Sequence, residues 1–534
     1  METLIRVKMN LTTQDCYHKS NDQHCQNLFR YNHGQEKCVY FIGIGGVGMS
    51  AIARILMYEG YTVSGSDLEC TPITHTLKEM GAKINTKQDG ESLTHYTNLV
   101  ITSAAINESN PDLIKARMLG LKIVKYSEFL GSLMKSRRGI AVSGTHGKTT
   151  TSAMISTILK KSGHEPTFVV GGDITEMGGG SCIGRGNLFV AEACEYDKTF
   201  LNLSPQIGVI TNIDEDHLDF YKNIHGITDA FSEFATLIPK DGLLVVYDDD
   251  ENIKTAIKNV RCQVARYSVV LACDNKQKAF LPDSDFFRLL PGSLTNELPG
   301  AVYGKTGKRW LAIVQDFDKV RTLFSVYNEL GFFGSFCLHL PGVHNVKNAL
   351  AAIAVCSHIG LSANVIENAV ASFKGVSRRF QTIFDEGGIT VIDDYAHHPT
   401  EIRTTLETIK SVYASQRITC VFQPHQYNRT RFFLREFAAS LALADRVIVT
   451  DIYAARDSDI DKVSVSSLDL VRELCGTGSD VRYLKKISEI VNSLQRNVKK
   501  GDIVLTMGAG DIWKAAYDLK SCLREKYDNE YGNR

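Results

Sequence analysis

Two glycine-rich turns in the first third of the chain have the residue types and spacing to hold phosphate groups, and they follow different plans. Gly43-Ile44-Gly45-Gly46-Val47-Gly48 has the G-x-G-x-x-G spacing of a βαβ nucleotide-binding turn, with Asp67 at the end of the next strand pattern. Its default ligand is a dinucleotide whose ribose hydroxyl meets Asp67, and the same geometry suits any nucleotide diphosphate. Gly144-Thr145-His146-Gly147-Lys148-Thr149 ends in the Gly-Lys-Thr of a P-loop, although Val142 stands where the first glycine of the full motif falls. Backbone amides there cradle phosphates, Lys148 can reach a terminal phosphoryl group, and the Thr149 hydroxyl can ligate Mg²⁺. A chain with both turns is expected to hold two phosphate-bearing molecules.

Acidic and basic clusters follow. Glu192-Ala193-Cys194-Glu195-Tyr196-Asp197 and Asn212-Ile213-Asp214-Glu215-Asp216-His217-Leu218-Asp219 each lie just beyond a strand pattern. Glu192 with Thr149 can supply oxygen ligands to Mg²⁺, and His217 can ligate a second ion or orient a phosphate. Gly342 to Ala349 opens an alanine-rich helix, where Asn345 or Asn348 is expected to act as the cap. Arg378-Arg379-Phe380, Asp393 to Pro399 and Gln423 to Arg431 gather Arg, His and Tyr in loops, where guanidinium groups can grip carboxylates and phosphates bidentately.

The elements that must position these groups are legible as apolar runs alternating with helical stretches, the signature of parallel sheets covered on both faces. Strand, glycine turn, helix and strand run from Cys38 to Ser64, and a second set opens with Gly139-Ile140-Ala141-Val142-Ser143 before the P-loop. A third set begins near Phe373. Residues 1 to 37 are polar and read as an extension that need not fold, Lys135-Ser136-Arg137-Arg138 reads as a linker, and residues 262 to 340 fit the pattern poorly, as short antiparallel strands or an insertion.

The 534 residues are too many for one core and argue for three domains. Sixty Lys and Arg balance sixty Asp and Glu, so no global field draws the chain to nucleic acid or an anionic membrane. Thirteen scattered cysteines without a C-x-x-C pair are expected to be reduced, mostly buried thiols rather than a zinc site. No secretory h-region or bilayer-length apolar stretch is evident, so a cytoplasmic protein without membrane insertion is expected.

Together, Phe41 to Ser50, Ser143 to Thr150, Asp216-His217-Leu218-Asp219, Gly342 to Ala349, Arg378-Arg379-Phe380, Asp394 to Glu401 and Gly508-Ala509-Gly510-Asp511-Ile512 resemble the Mur ligases, in order along residues 38 to 515. The resemblance implies an α/β fold of three domains. These are a Rossmann-like UDP-sugar-binding domain (38–136), a central P-loop ATPase domain with a mainly parallel sheet (137–375) and a Rossmann-like C-terminal ligase domain (376–534). It implies ATP-dependent ligation, with Mg²⁺, of L-alanine to the lactyl carboxylate of UDP-N-acetylmuramate through an acyl phosphate, by a monomer or homodimer.

The same resemblance places Gly43, Gly45, Gly46, Gly48, Met49, Asp67 and Ser103 at the UDP-sugar, so that the first turn holds UDP rather than NAD. It places Gly144, Thr145, His146, Gly147, Lys148, Thr149, Thr150, His344 and Asn345 at ATP. Thr149, Glu192 and His217 then hold metal, Tyr395, His397, His425 and Arg429 border the amino acid and acyl group, and Lys148, His217 and Arg379 are catalytic. The chain departs from the family pattern at Cys194, where an Asp is usual, and at Gln426, often Arg. Between residues 218 and 240 only Lys222 and Lys240 are present, so no carbamylated lysine is expected. A related ligase that attaches a preformed peptide, an NAD-dependent oxidoreductase and a non-catalytic nucleotide-binding relative are the competing readings.

Overall fold

A computed structural model describes residues 37–272, 308–413, 415–455 and 457–531. The expectations for residues 1–36 and 273–307 lie outside the described residues. Three separate sheets carry the described chain. The first has five parallel strands in the order Lys83–Asn85, Thr62–Ser66, Cys38–Ile42, Leu99–Thr102, Lys122–Lys125. Side chains alternate between its faces: Val39, Phe41, Leu99 and Ile101 join one apolar cluster, and Tyr40, Ile42 and Val100 join another. Burial on both sides is why these strands read as continuous apolar runs.

The central sheet has ten strands. Six parallel pairings run from Lys308–Phe317 through Gln263–Leu271, Leu243–Tyr247, Ile207–Ile210, Arg138–Ser143 and Leu188–Glu192 to Thr167–Ile174. The region expected to be irregular therefore extends the parallel sheet through Gln263–Leu271 and Lys308–Phe317, and then turns back as two antiparallel strands, Thr322–Asn328 and Gly331–Leu338. These strands are 7 to 10 residues long, not short. Their half-buried, alternating composition, in which Arg266 reaches out to Asp248 while Tyr267 is buried, hides them from a search for apolar runs.

The helix Lys148–Lys161 is buried from Thr149 to Leu159 and packs against the helix Val343–Ile359. Its hydroxyls return hydrogen bonds to the preceding turn, as Ser152 does to the Lys148 carbonyl (2.5 Å) and Ser156 to that of Ser152 (2.8 Å), so a Ser/Thr-rich helix is tolerated in the core. The third sheet runs Gln381–Glu386, Ile389–Asp394, Asp502–Met507, Arg417–Phe422, Arg446–Val449, Asp480–Tyr483, antiparallel only at its first pair.

Two contacts fix the first sheet on the central one. The helix Val47–Tyr58, which opens at the first glycine turn, packs on the strands Thr167–Ile174 and Gly179–Cys182, and the helix Tyr126–Lys135 packs on the segment Tyr196–Asn202. At the second contact a Cβ on Gly131 would stand 2.0 Å from the Asn202 carbonyl oxygen. Gly131→Ala is therefore expected to cost at least about 1–3 kcal/mol, read as a lowered Tm by calorimetry. Gly476→Ala, with open space around it, should change stability by no more than about 1 kcal/mol. An unchanged Tm for Gly131→Ala would mean that this seat yields.

The basic stretch joins the first sheet to the central one, as expected of a linker: Lys135 ends the last helix before the crossing, Arg138 begins a strand of the central sheet, and Arg137 between them donates to the carbonyls of Gly184 (2.9 Å) and Gly186 (2.7 Å). One expectation is corrected here. The ten described cysteines are free, but only Cys356 and Cys420 are buried, while Cys70, Cys194 and Cys475 are exposed. No helix among the described residues is long and apolar enough to cross a membrane.

Candidate active site

The first turn is shaped by its own backbone. Gly43, at φ +83°, and Ile44 donate their amides to the Ser66 carbonyl (2.9 and 3.1 Å), and Gly45 donates to the Asp67 carboxylate (2.8 Å). Asp67 thus braces the turn. Ser103 closes over Gly43, whose added Cβ would stand 3.3 Å from it, and Met49 is buried in the core beneath the turn. Gly48 faces Tyr126, with an added Cβ 2.5 Å from the phenol oxygen.

Tyr126 links this turn to the next. Burial, then the charges of Glu192 and Cys194 at the end of the strand beside the P-loop strand, raise its pKa. Glu192 lies in register with Val142, and its Oε1 is buried without a hydrogen-bond partner.

The P-loop is gripped from the next strand end. The His146 amide donates to the Asn212 side chain (2.8 Å), and Thr211 Oγ1 donates to the His146 carbonyl (2.5 Å). Gly147 is left-handed (φ +82°), and a Cβ there would meet Asn348 Oδ1 at 2.4 Å. Lys148 Nζ donates to the carbonyls of Gly144 (2.5 Å) and Thr145 (3.0 Å) and pairs with Glu195 at 2.9 Å. Burial works against both charges, but the attraction of Glu195 wins and raises the Lys148 pKa. Neither Asn345 nor Asn348 caps its helix: Gly342 is the cap residue, Asn345 Nδ2 donates to the Pro341 carbonyl (2.7 Å), and Asn348 accepts from Thr151 (3.3 Å) beneath the P-loop.

A cavity of about 340 Å³ lies between the central and third sheets, and His146, Gly147, Thr150, His344, Asn345 and Arg379 line it together. His344 Nδ1 is buried there without a hydrogen-bond partner, and burial lowers the His344 pKa to about 4. A separate hollow of about 40 Å³ joins His217 to Gln426 and Arg429. His217 Nε2 lies 3.7 Å from Asp216 and 4.0 Å from Glu195. Tyr395, His397 and His425 form a ring series with spacings of 5.3 and 5.7 Å, and the Arg378 and Arg379 guanidiniums lie 5.0 and 4.8 Å from the Tyr395 centroid. Lys148, Thr149 and Glu192 line neither hollow.

His217, Arg378, Phe380 and Gln426 all have positive φ, between 50° and 70°. Such strain costs of order 1–3 kcal/mol per residue and gathers where function holds it. Arg378 is held by Asp393 (3.2 Å) and the carbonyls of Gly508 (2.6 Å) and Gly510 (3.0 Å), so its charge serves the fold and Arg379 alone of the pair faces the cavity.

Residues 38–138, 142–356 and 378–510 match, in that order, the Mur ligase family catalytic domain, the Mur ligase middle domain and the Mur ligase glutamate ligase domain. The UDP-N-acetylmuramate–L-alanine ligase of Caldanaerobacter subterraneus subsp. tengcongensis is 41% identical over 90% of this chain and 96% of its own. The chain belongs to the Mur ligase family. The ligase of the same name from Alkaliphilus metalliredigens is 41% identical over 92% of this chain and 98% of its own. Among solved structures, UDP-N-acetylmuramate-alanine ligase MurC from Thermotoga maritima aligns with TM-score 0.72 at 28% identity, covering 91% of this chain and 99% of that one. A murein peptide ligase from Psychrobacter arcticus aligns with TM-score 0.65 at 25% identity over 91% of this chain and 98% of its own.

In this Mur ligase the sequence reading missed two bridges to the third sheet. Glu401 accepts from the His397 amide (3.0 Å) and meets His146 Nδ1 at 3.2 Å, while His146 Nε2 meets Asp214 at 3.1 Å. Arg429 is bidentate on Asp216 (2.9 and 3.1 Å). Burial lowers the His146 pKa, but the hydrogen bonds it donates to Asp214 and Glu401 override that and raise the value to about 9; Glu401 itself sits well below the usual range.

A raised histidine pKa contributes stability that is complete below the unfolded value of about 6.5 and fades as pH rises through the folded one. The depressed Glu401 pKa acts at the other end, its contribution fading as pH falls below about 4.5. The bridge is therefore expected to be strongest from about pH 5 to 6.5 and to weaken toward pH 9 and above. Tm against pH should show this alkaline loss, and His146→Gln should flatten it. An equal alkaline slope in both proteins would remove His146 as its source.

Proposed function

We infer that this Mur ligase joins L-alanine to the lactyl carboxylate of UDP-N-acetylmuramate at the expense of ATP, giving ADP and phosphate. The observation that carries the reading is that two phosphate turns lie on separate sheets, with the helix that opens at the first packed on the sheet that carries the second, and Tyr126 against Gly48. One turn suits the nucleotide that carries the acceptor carboxylate, and the other the nucleotide that activates it. The names of the relatives agree with this chemistry.

Residues 38–136 hold the UDP-sugar at Gly43, Gly45, Gly46 and Gly48, residues 137–375 hold ATP, and residues 376–534 bring in the amino acid. The adenine end of ATP lies by His344 and Asn345, where a neutral imidazole with an unpaired Nδ1 suits a heteroaromatic partner. The lactyl carboxylate attacks the γ-phosphate, Lys148 leaves Glu195 to neutralise the charge that develops, and an acyl phosphate forms. The neutral amine of L-alanine, held near Tyr395, His397, His425 and Arg429, then attacks the acyl carbon, and phosphate leaves. Arg379 faces the cavity as a further cation for that charge. Closure of the third sheet on the central one keeps water from the acyl phosphate.

The residues fit Mg²⁺: a buried carboxylate oxygen without a donor, Glu192 Oε1, suits a hard cation, with the Thr149 hydroxyl as the other protein ligand, and His217 would ligate a second ion. Bound there, Mg²⁺ supplies charge neutralisation to the phosphates. The protein acts in the cytoplasm, as a monomer or homodimer.

Phosphate release, measured with ATP, UDP-N-acetylmuramate and each of L-Ala, Gly and L-Ser, tests the reading. Release that requires the UDP-sugar and is fastest with L-Ala is expected. Silence with all three would sink it, and release only with a preformed peptide would favour the related amide ligase.

A further inference from the structure

Among the described residues, one group of three metal-ligating side chains has its donor atoms within 4.8 Å of one another: His146, Asp214 and His398. They come from three places, the P-loop, the loop after the strand Ile207–Ile210, and the N-terminal end of the helix Pro399–Val412. None of them is among the Mg²⁺ ligands above. His146 Nε2 lies 3.1 Å from Asp214 Oδ2, and His398 Nδ1 lies 4.0 Å from the same oxygen.

The outer nitrogens decide what the inner ones present. His398 Nε2 stands 2.8 Å from the Glu215 carbonyl, which can only accept, so the proton is on Nε2 and Nδ1 offers its lone pair inward. That lone pair accepts a long hydrogen bond from the Thr400 amide (3.3 Å). His146 Nδ1 faces the Glu401 carboxylate at 3.2 Å, which fixes the proton there and turns Nε2 toward Asp214. A carbonyl on one imidazole and a carboxylate on the other are the outer partners that orient metal-binding histidines and raise their basicity. Asp214 Oδ2 also accepts from Thr400 Oγ1 (2.7 Å).

We propose that His146, Asp214 and His398 bind a divalent cation of the zinc class, which ties the P-loop to the third sheet. Two imidazoles and one carboxylate suit zinc, cobalt or nickel rather than Mg²⁺, which takes oxygen ligands. Zinc bonds of about 2.0–2.1 Å in a tetrahedron need donors roughly 3.3 Å apart; the two pairs that include Asp214 stand at 3.1 and 4.0 Å and all three within 4.8 Å, so a small rotation of the imidazoles closes the set on an ion. Water fills the fourth position. On binding, the ion takes the place of the His146 Nε2 proton, which passes to solvent, and of the Thr400 amide at His398. Because His146 and Asp214 also line the 340 Å³ cavity, zinc and ATP compete for this region. The site stands whichever amino acid the ligase uses.

The test is zinc binding by calorimetry to the full chain and to His398→Asn, which keeps a cap acceptor for Thr400 but lacks the imidazole. Wild type is expected to bind one equivalent that His398→Asn binds at least about 100-fold more weakly, and millimolar Mg²⁺ should not displace it. X-ray absorption on zinc-loaded wild type gives a second reading that needs no variant: a nitrogen and oxygen shell with imidazole scattering is expected. Equal binding to both proteins, displacement by Mg²⁺, or a sulfur shell from the exposed thiols would overturn the proposal.

Discussion

Lys148→Ala is expected to lower turnover by at least about 10³-fold while UDP-N-acetylmuramate binds with its affinity changed by no more than about twofold. The lysine is the cation at the P-loop, and its loss removes charge neutralisation where the phosphoryl group is transferred. The first glycine turn belongs to another sheet and makes its hydrogen bonds to Ser66 and Asp67, so the UDP-sugar site should not feel the change. The substitution also strands Glu195, whose side chain is only 3% exposed, and a buried charge left alone destabilises strongly. Lys148→Ala with Glu195→Gln separates the two effects: stability should return and turnover should not. Titration of the UDP-sugar beside the kinetics decides the matter, since loss of both binding and turnover would mean that the two turns are not independent.

Arg429→Ala should produce the largest loss of stability among the site substitutions, about 3–5 kcal/mol, because it leaves Asp216 buried without its counter-ion. The two side chains are 6% and 11% exposed, and the pair joins the helix Tyr427–Phe432 of the third sheet to the loop that carries His217. Arg429 holds the Asp216 pKa well below the usual carboxylate range against the opposing effect of burial. Denaturant unfolding of Arg429→Ala, Asp216→Asn and the double variant forms a cycle in which the double variant should recover much of the loss. A cost under about 1 kcal/mol for Arg429→Ala would show that water reaches the pair. Turnover should fall as well, since the same guanidinium stands 3.4 Å from His425 Nδ1 and ties it to the loop that carries His217.

The parts of this protein that were legible in its sequence are those where cause and effect are close along the chain. Each glycine turn is a strand end, a tight backbone and a helix start within about a dozen residues, so spacing alone predicts it. The strands feeding them are buried on both faces and announce themselves as apolar runs. Gln263–Leu271 pairs in the same parallel way but is half exposed, and its mixture of Gln, Arg and Ser with Val and Tyr looks irregular until its neighbours are known.

Contacts between distant segments had no local signal. His146 and Glu401 are 255 residues apart, and nothing in Pro-Thr-Glu marks Glu401 as the acid that meets the P-loop. Gly131 looks like a weak point in a helix until the Asn202 carbonyl stands against it. Asn345 and Asn348 are placed by sequence where caps belong, yet the positive φ of Gly342 lets backbone geometry start the helix, and the two side chains turn instead to the Pro341 carbonyl and the Thr151 hydroxyl. Arg378 and Arg379 are indistinguishable in sequence, and only the fold sends one to the Gly508 and Gly510 carbonyls and the other to the cavity.

The central claim is that the carboxylate of one nucleotide is activated by the phosphoryl group of another before the amine arrives. It is tested most directly by running the reaction with both lactyl carboxylate oxygens labelled with ¹⁸O and weighing the products. Passage through an acyl phosphate sends one labelled oxygen into the released phosphate and leaves one in the amide. Released phosphate without label, while L-alanine is joined to the UDP-sugar, would contradict the account.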